Sequence, residues 1–128
     1  MKNFEKNFLT VVVTNQGGIA KSLYTSKEVD ALHNFMQESL AEVGAHIDGF
    51  YYCPHHPDFS GTCDCRKPKP GLILKACKEL EIEPARAILI GDAERDIAAA
   101  QAAGLRAGIF FTGGNLLEVV KAAAEKYF

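Results

Sequence analysis

No apolar run in the sequence approaches the roughly 18 residues a membrane-spanning helix needs. Neither charge dominates: 14 basic residues face 16 acidic ones, a formal net charge of -2. That balance removes the broad electrostatic case for nucleic acid or membrane as a partner and leaves room only for a local cationic site. There is no internal repeat, low-complexity stretch or linker, so residues 1–128 are expected to form a single domain. The opening MKNFEKNF has neither the long apolar stretch nor the cleavage site of a signal peptide, and the expected location is the cytoplasm. Cysteines number only four, and disulfides are not expected in a reducing compartment. Three of them, Cys53, Cys63 and Cys65, crowd around His55, which favours a metal. Cys77 stands apart in an apparent helix and reads as a small buried hydrophobe.

What is present suits an ordinary globular core: 48% of residues are apolar. FLTVVV at 8–13 predicts a fully buried strand that opens into the loop TNQGG. Thr25 or Ser26 can cap a following helix, on which Val29, Leu32, Met36, Leu40 and Val43 make an apolar stripe and Gly44 a stop. Residues 50–53 read as a second strand and 54–70 as an irregular segment. Pro70 is placed to start a helix with Leu72, Ile73, Ala76 and Leu80 on its apolar face. Strands follow at 87–90 and 107–111, with helices at 96–103 and 116–127 and Gly104 ending the first of these. This alternation predicts an α/β protein with a mostly parallel sheet and helices on both faces.

Within the irregular segment the pattern is Cys-x-His, seven residues, then Cys-x-Cys. Cys53, His55, Cys63 and Cys65 would complete a closed tetrahedron of the kind that suits structural zinc and clamps a loop too poor in apolar surface to fold alone. His56 is a competing ligand or a solvated loop histidine. Ligands of open parallel sheets bind beyond the carboxyl ends of the strands. Thr14 and Asn15 stand at such an end, where hydroxyl, amide and backbone N–H groups can hold a phosphate or simply make a turn. Arg66 and Lys67 directly follow the last zinc ligand; they are either a solvated pair or, held near the strand ends by the clamped loop, a planar fork and a compact charge for phosphate. Asp92 follows AILIG, with Asp96 four residues on. Together they suit Mg2+, or else Asp92 caps the helix and Asp96 compensates its first turn.

TNQGGIA at 14–20, CPHHP at 53–57, CDCRKPKPG at 63–71 and GDAERDIAAAQAAG at 91–104 resemble the haloacid dehalogenase (HAD) superfamily. Within it they are most similar to the D-glycero-D-manno-heptose-1,7-bisphosphate phosphatases, with histidinol phosphatases as close relatives. The resemblance implies a three-layer Rossmann-like fold and Mg2+-dependent hydrolysis of a phosphate monoester on a small phosphorylated sugar. It implies that Thr14 binds the transferring phosphoryl group beside Asn15, that Lys67 neutralises phosphate and orients the nucleophile, and that Arg66 contacts a substrate phosphate. Asp92 becomes the magnesium ligand, Asp96 its acidic companion, and the Cys/His set the structural zinc site.

The resemblance also exposes a gap. The family's nucleophile lies in an Asp-x-Asp element on a central strand. The aspartates here are Asp30, Asp48, Asp58, Asp64, Asp92 and Asp96, and none sits in such an element. The expectation is a chain lacking the nucleophile strand: inactive or impaired alone, and inclined to self-associate through an incomplete sheet. Ala93 also stands where bisphosphatase relatives often carry a basic residue, which weakens the choice of substrate. The alternatives are a phosphatase for histidinol phosphate or another small ester, and a non-catalytic zinc-stabilised binding module.

Overall fold

The computed structural model describes residues 8–61, 63–111 and 113–128. The opening stretch read for a signal peptide lies, but for Phe8, outside these residues. The chain divides at the Arg66–Lys67 bond into two compact units.

The first unit contains β1 (Val11–Asn15), α1 (Ser26–Ala41), β2 (Gly49–Cys53) and the one-turn α2 (Pro57–Ser60). β1 and β2 pair in parallel, from Val11 opposite Gly49 to Asn15 opposite Cys53. The predicted first strand is therefore displaced: its partner begins only at Gly49, and the ladder runs on through Thr14 and Asn15. The Gln16 N–H extends it by donating to the Cys53 carbonyl at 2.7 Å. Thr25 caps α1, its hydroxyl accepting from the Glu28 N–H at 3.1 Å. The buried face of α1 runs from Val29 through His33 to the half-buried Met36 and Leu40, so the predicted stripe holds at Val29, Met36 and Leu40 but not at Leu32, 53% exposed, or Val43, 72%. The cause is His33, whose ring stacks on Phe50 at 4.3 Å and meets Tyr52 edge-on at 5.9 Å. With an imidazole on the sheet, Leu32 falls to the flank, and Val43 lies beyond the helix end at Ala41. The Gln37 side chain ties the helix to the β2 approach, accepting from Ile47 N at 2.7 Å and donating to Ile47 O at 2.6 Å.

The second unit contains α3 (Gly71–Glu79), a 3-10 turn (Pro84–Arg86), β3 (Ile88–Gly91), α4 (Glu94–Ala102), β4 (Ala107–Phe110) and α5 (Leu116–Tyr127). β3 and β4 are parallel, Ile88 opposite Ala107 and Gly91 opposite Phe110. α3 buries Leu72, Ile73, Ala76 and Cys77, as its pattern predicts. α4 starts two residues before the predicted position because Asp96 sits in its first turn and accepts from the Ala93 N–H at 3.2 Å. Ala99 and Ala100 of α4 are buried against the short strands, and Gly104, at φ 76°, ends the helical turn.

The strands differ from expectation in one respect. They are half-buried rather than fully buried, because each sheet holds only two strands among the described residues. Beyond alanine, the largest fully buried side chain is that of Cys53.

Candidate functional site

The register that pairs Asn15 with Cys53 brings two predicted features to one end of the first sheet. From Cys53 the chain leaves the strand, makes α2, and returns through Cys63 and Cys65. One ligand atom from each of Cys53, His55, Cys63 and Cys65 lies within 4.8 Å of all the others. The Cys53–Cys63, Cys63–Cys65 and Cys53–Cys65 sulfurs are 3.4, 3.5 and 2.7 Å apart. His55 presents Nδ1, which lies 3.5 Å from the Cys53 sulfur and 3.3 Å from that of Cys65. A tetrahedral zinc with sulfur at about 2.3 Å implies ligand–ligand edges of roughly 3.8 Å. The cluster meets that with an outward shift of tenths of an ångström at most edges and about one ångström between Cys53 and Cys65. Three sulfurs and one imidazole are a closed donor set that can hold a metal ion, and they suit zinc.

The thiols differ in acidity. Burial pushes Cys53 up. Burial, then hydrogen bonding to Cys53 and Cys63, pushes Cys65 up to about 12. For Cys63, burial is outweighed by hydrogen bonds from Cys53, the Arg66 backbone and Cys65, which bring it down to about 6. His56 is not part of the cluster: its ring nitrogen caps α2, accepting from Asp58 N at 3.1 Å.

Arg66 is anchored to the same loop, its Nη1 donating to the His55 carbonyl at 3.2 Å. That nitrogen lies 2.9 Å from where a Cβ on Gly17 would stand, so the guanidinium lies against the loop that follows Thr14 and Asn15. Thr14 and Asn15 are half-buried at the strand end. Sequence reasoning missed their surroundings. Gln16 Nε2 donates to Thr14 Oγ1 at 3.3 Å, and the Tyr24 hydroxyl donates to Gln16 Oε1 at 2.6 Å. The only signal was the presence of two polar side chains around a Gly-Gly turn.

In the second unit, Lys67 Nζ pairs with Asp96 Oδ1 at 2.5 Å, and both side chains are buried. Among the described residues this Oδ1 has no hydrogen bond, so the lysine charge is its compensation. Asp96 also packs on the end of β3: a Cβ on Gly91 would lie 2.5 Å from Asp96 Cβ. Asp92 is exposed and does not cap α4, whose cap is Ala93. One exposed carboxylate at a strand end fits a hydrated magnesium ion, which keeps several waters. Asp96 is committed to Lys67.

The HAD-hydrolase-like family model matches residues 64–126. The D-glycero-beta-D-manno-heptose-1,7-bisphosphate 7-phosphatase of Yersinia pestis is 42% identical, over 94% of this chain and 68% of that protein. The chain belongs to the HAD-like heptose-bisphosphate phosphatase family. The enzyme of the same name from Haemophilus ducreyi is 40% identical, over 88% of this chain and 65% of its own length. The crystal structure of D,D-heptose 1,7-bisphosphate phosphatase from B. bronchiseptica, complexed with magnesium and phosphate, has a TM-score of 0.76 at 33% identity. It covers 89% of this chain and 62% of that one. The fold class is thus the Rossmann-like α/β fold of HAD phosphatases, and this chain spans about two thirds of the length of the relatives it matches. Among the described residues, no helix is long and apolar enough to cross a membrane.

Proposed function

We propose that this chain is the zinc-braced, phosphate-binding part of a single-domain, cytoplasmic phosphatase that removes the 7-phosphate from D-glycero-D-manno-heptose 1,7-bisphosphate. The observation that carries the reading is the closed Cys53–His55–Cys63–Cys65 cluster leading directly into Arg66 and Lys67, in a chain 42% identical to a phosphatase of that name. Zinc fixes the loop. Arg66, anchored on the His55 carbonyl, presents a planar fork for a substrate phosphate. Thr14 and Asn15 offer a hydroxyl and an amide to the transferring phosphoryl group. Lys67, aligned by Asp96, offers positive charge to phosphate oxygens. Asp92 holds Mg2+, which when bound offsets further negative charge.

No Asp-x-Asp is present in the 128 residues, so covalent catalysis lacks its nucleophile and this chain alone is inactive or impaired. The test fuses a strand segment carrying the Asp-x-Asp that the resemblance implies ahead of Phe8 and measures phosphate release. Release from the heptose bisphosphate by the fusion, with none from the unfused chain, is expected. Turnover by the unfused chain at the rate of the whole relative refutes its inactivity. Preference of the fusion for histidinol phosphate refutes the substrate, and binding without turnover by the fusion favours a non-catalytic zinc module.

A further inference from the structure

The Tyr24 hydroxyl has no part in the roles above, yet it ends a chain of hydrogen bonds that reaches the strand-end hydroxyl. After Asn15 the backbone curls: Ile19 N donates to Gln16 O at 3.1 Å, and Leu23 N to Gly18 O at 2.9 Å. The curl returns Tyr24 to the start of the loop. There the ring lies on bare backbone, since a Cβ on Gly18 would stand 2.2 Å from its Cε1. From this seat Tyr24 donates to Gln16 Oε1 at 2.6 Å, and Gln16 Nε2 donates to Thr14 Oγ1 at 3.3 Å. The proton of Thr14 itself faces the Asn15 carbonyl at 3.4 Å, which is long for an O–H···O bond.

We propose that Tyr24 is a positioning residue: through Gln16 it occupies an acceptor site of the Thr14 hydroxyl and leaves the proton for a phosphate oxygen. The inference rests on the reading of Thr14 as a phosphate ligand. A hydroxyl has one proton and two lone pairs, and a phosphate oxygen needs the proton. An amide can turn and offer either end. The short phenol bond holds the Gln16 oxygen toward Tyr24, so its N–H groups face Thr14 and the Thr14 proton points away from Gln16. Pre-orientation of this kind strengthens a charge-assisted hydrogen bond without adding a contact.

The test is a double-mutant cycle on the zinc-loaded chain, with inorganic phosphate titrated against the 15N-labelled protein. Thr14→Val is expected to weaken phosphate binding about tenfold, as for loss of a hydrogen bond to a charged group. Tyr24→Phe, which removes only the hydroxyl, is expected to weaken it about threefold in the parent and not at all in the Thr14→Val background. Equal weakening in both backgrounds would mean that Tyr24 merely supports the loop, and overturns the proposal. So does unchanged binding in Tyr24→Phe, or tighter binding, the outcome expected if Gln16 accepted the Thr14 proton. If Tyr24→Phe loses zinc or dispersed resonances, Gln16→Met takes its place in the same cycle with the same expectation. Unchanged affinity in Thr14→Val, or no phosphate response in the parent, removes the reading of Thr14 and this inference with it.

Discussion

At the scale of single residues, the two aspartates near the second strand end have different tasks. Asp92 is exposed, whereas Asp96 is buried, bonded to the first turn of α4 and paired with Lys67. Removing one member of a buried pair leaves a desolvated charge behind and typically costs about 3–5 kcal/mol. Asp96→Ala is therefore expected to lower stability to urea by an amount of that order, while Asp92→Ala stays within about 0.5 kcal/mol of the parent. Equal losses would contradict the placement of Asp96. Gly91 belongs to the same arrangement. A methyl there would lie 2.6 Å from Asp96 Oδ2 as well as against its Cβ, so either the carboxylate or β3 must move. Gly91→Ala is expected to cost about 1–3 kcal/mol in a urea titration, in line with overpacking a close contact.

At the scale of elements, the proposed zinc would order the loop between Cys53 and Cys65. Apart from α2, which is four residues long with no buried side chain, the described residues between Cys53 and Cys65 have no regular structure. Chelation is therefore expected to abolish amide protection in residues 54–65 while α3 keeps its own, as hydrogen exchange would show. The pH dependence has a definite sign. Zinc takes thiolates; Cys53 and Cys65, both pushed up, are protonated at neutral pH, whereas Cys63, brought down to about 6, is not. Zinc binding at pH 7.5 should release about two protons, readable by calorimetry in buffers of different ionisation enthalpy. Affinity should fall as pH drops, and more steeply below about 6, where Cys63 also gains a proton. Release of no protons would refute the assignment of the protonated thiols. The Cys53–His55–Cys63–Cys65 cluster was legible in the sequence because donor types and spacing are local. So was the cap at Thr25, which needs only its own helix. The buried face of α1 was legible at Val29, Met36 and Leu40 but not at His33, since apolar spacing cannot show that an imidazole there stacks on Phe50. The Tyr24–Gln16–Thr14 chain depends on how a loop returns, and the Lys67–Asp96 pair on two segments 29 residues apart, neither of which leaves a periodic trace.

At the scale of the whole molecule, the described residues hold five helices but only two pairs of strands. Two strands make a sheet that is marginal alone; three or more, or cover by helices, give independent stability. The strands are half-buried, and apolar side chains stand in solvent, with Phe35 65% and Leu117 50% exposed. Such surfaces are covered by more chain or by another molecule. The relatives are longer than this chain by about half its length. The unfused chain is expected to sediment as a concentration-dependent mixture of dimer and larger species, and the fusion as a smaller, discrete one. The fusion should also unfold with a steeper urea dependence, since a completed sheet exposes more area on unfolding. Zinc content separates this from loss of fold, because the Cys/His cluster lies wholly within residues 53–65 and should stay filled in both forms. A zinc-loaded, strictly monomeric unfused chain that unfolds as cooperatively as the fusion would show that the paired strands suffice, and would move the case toward a self-sufficient binding module.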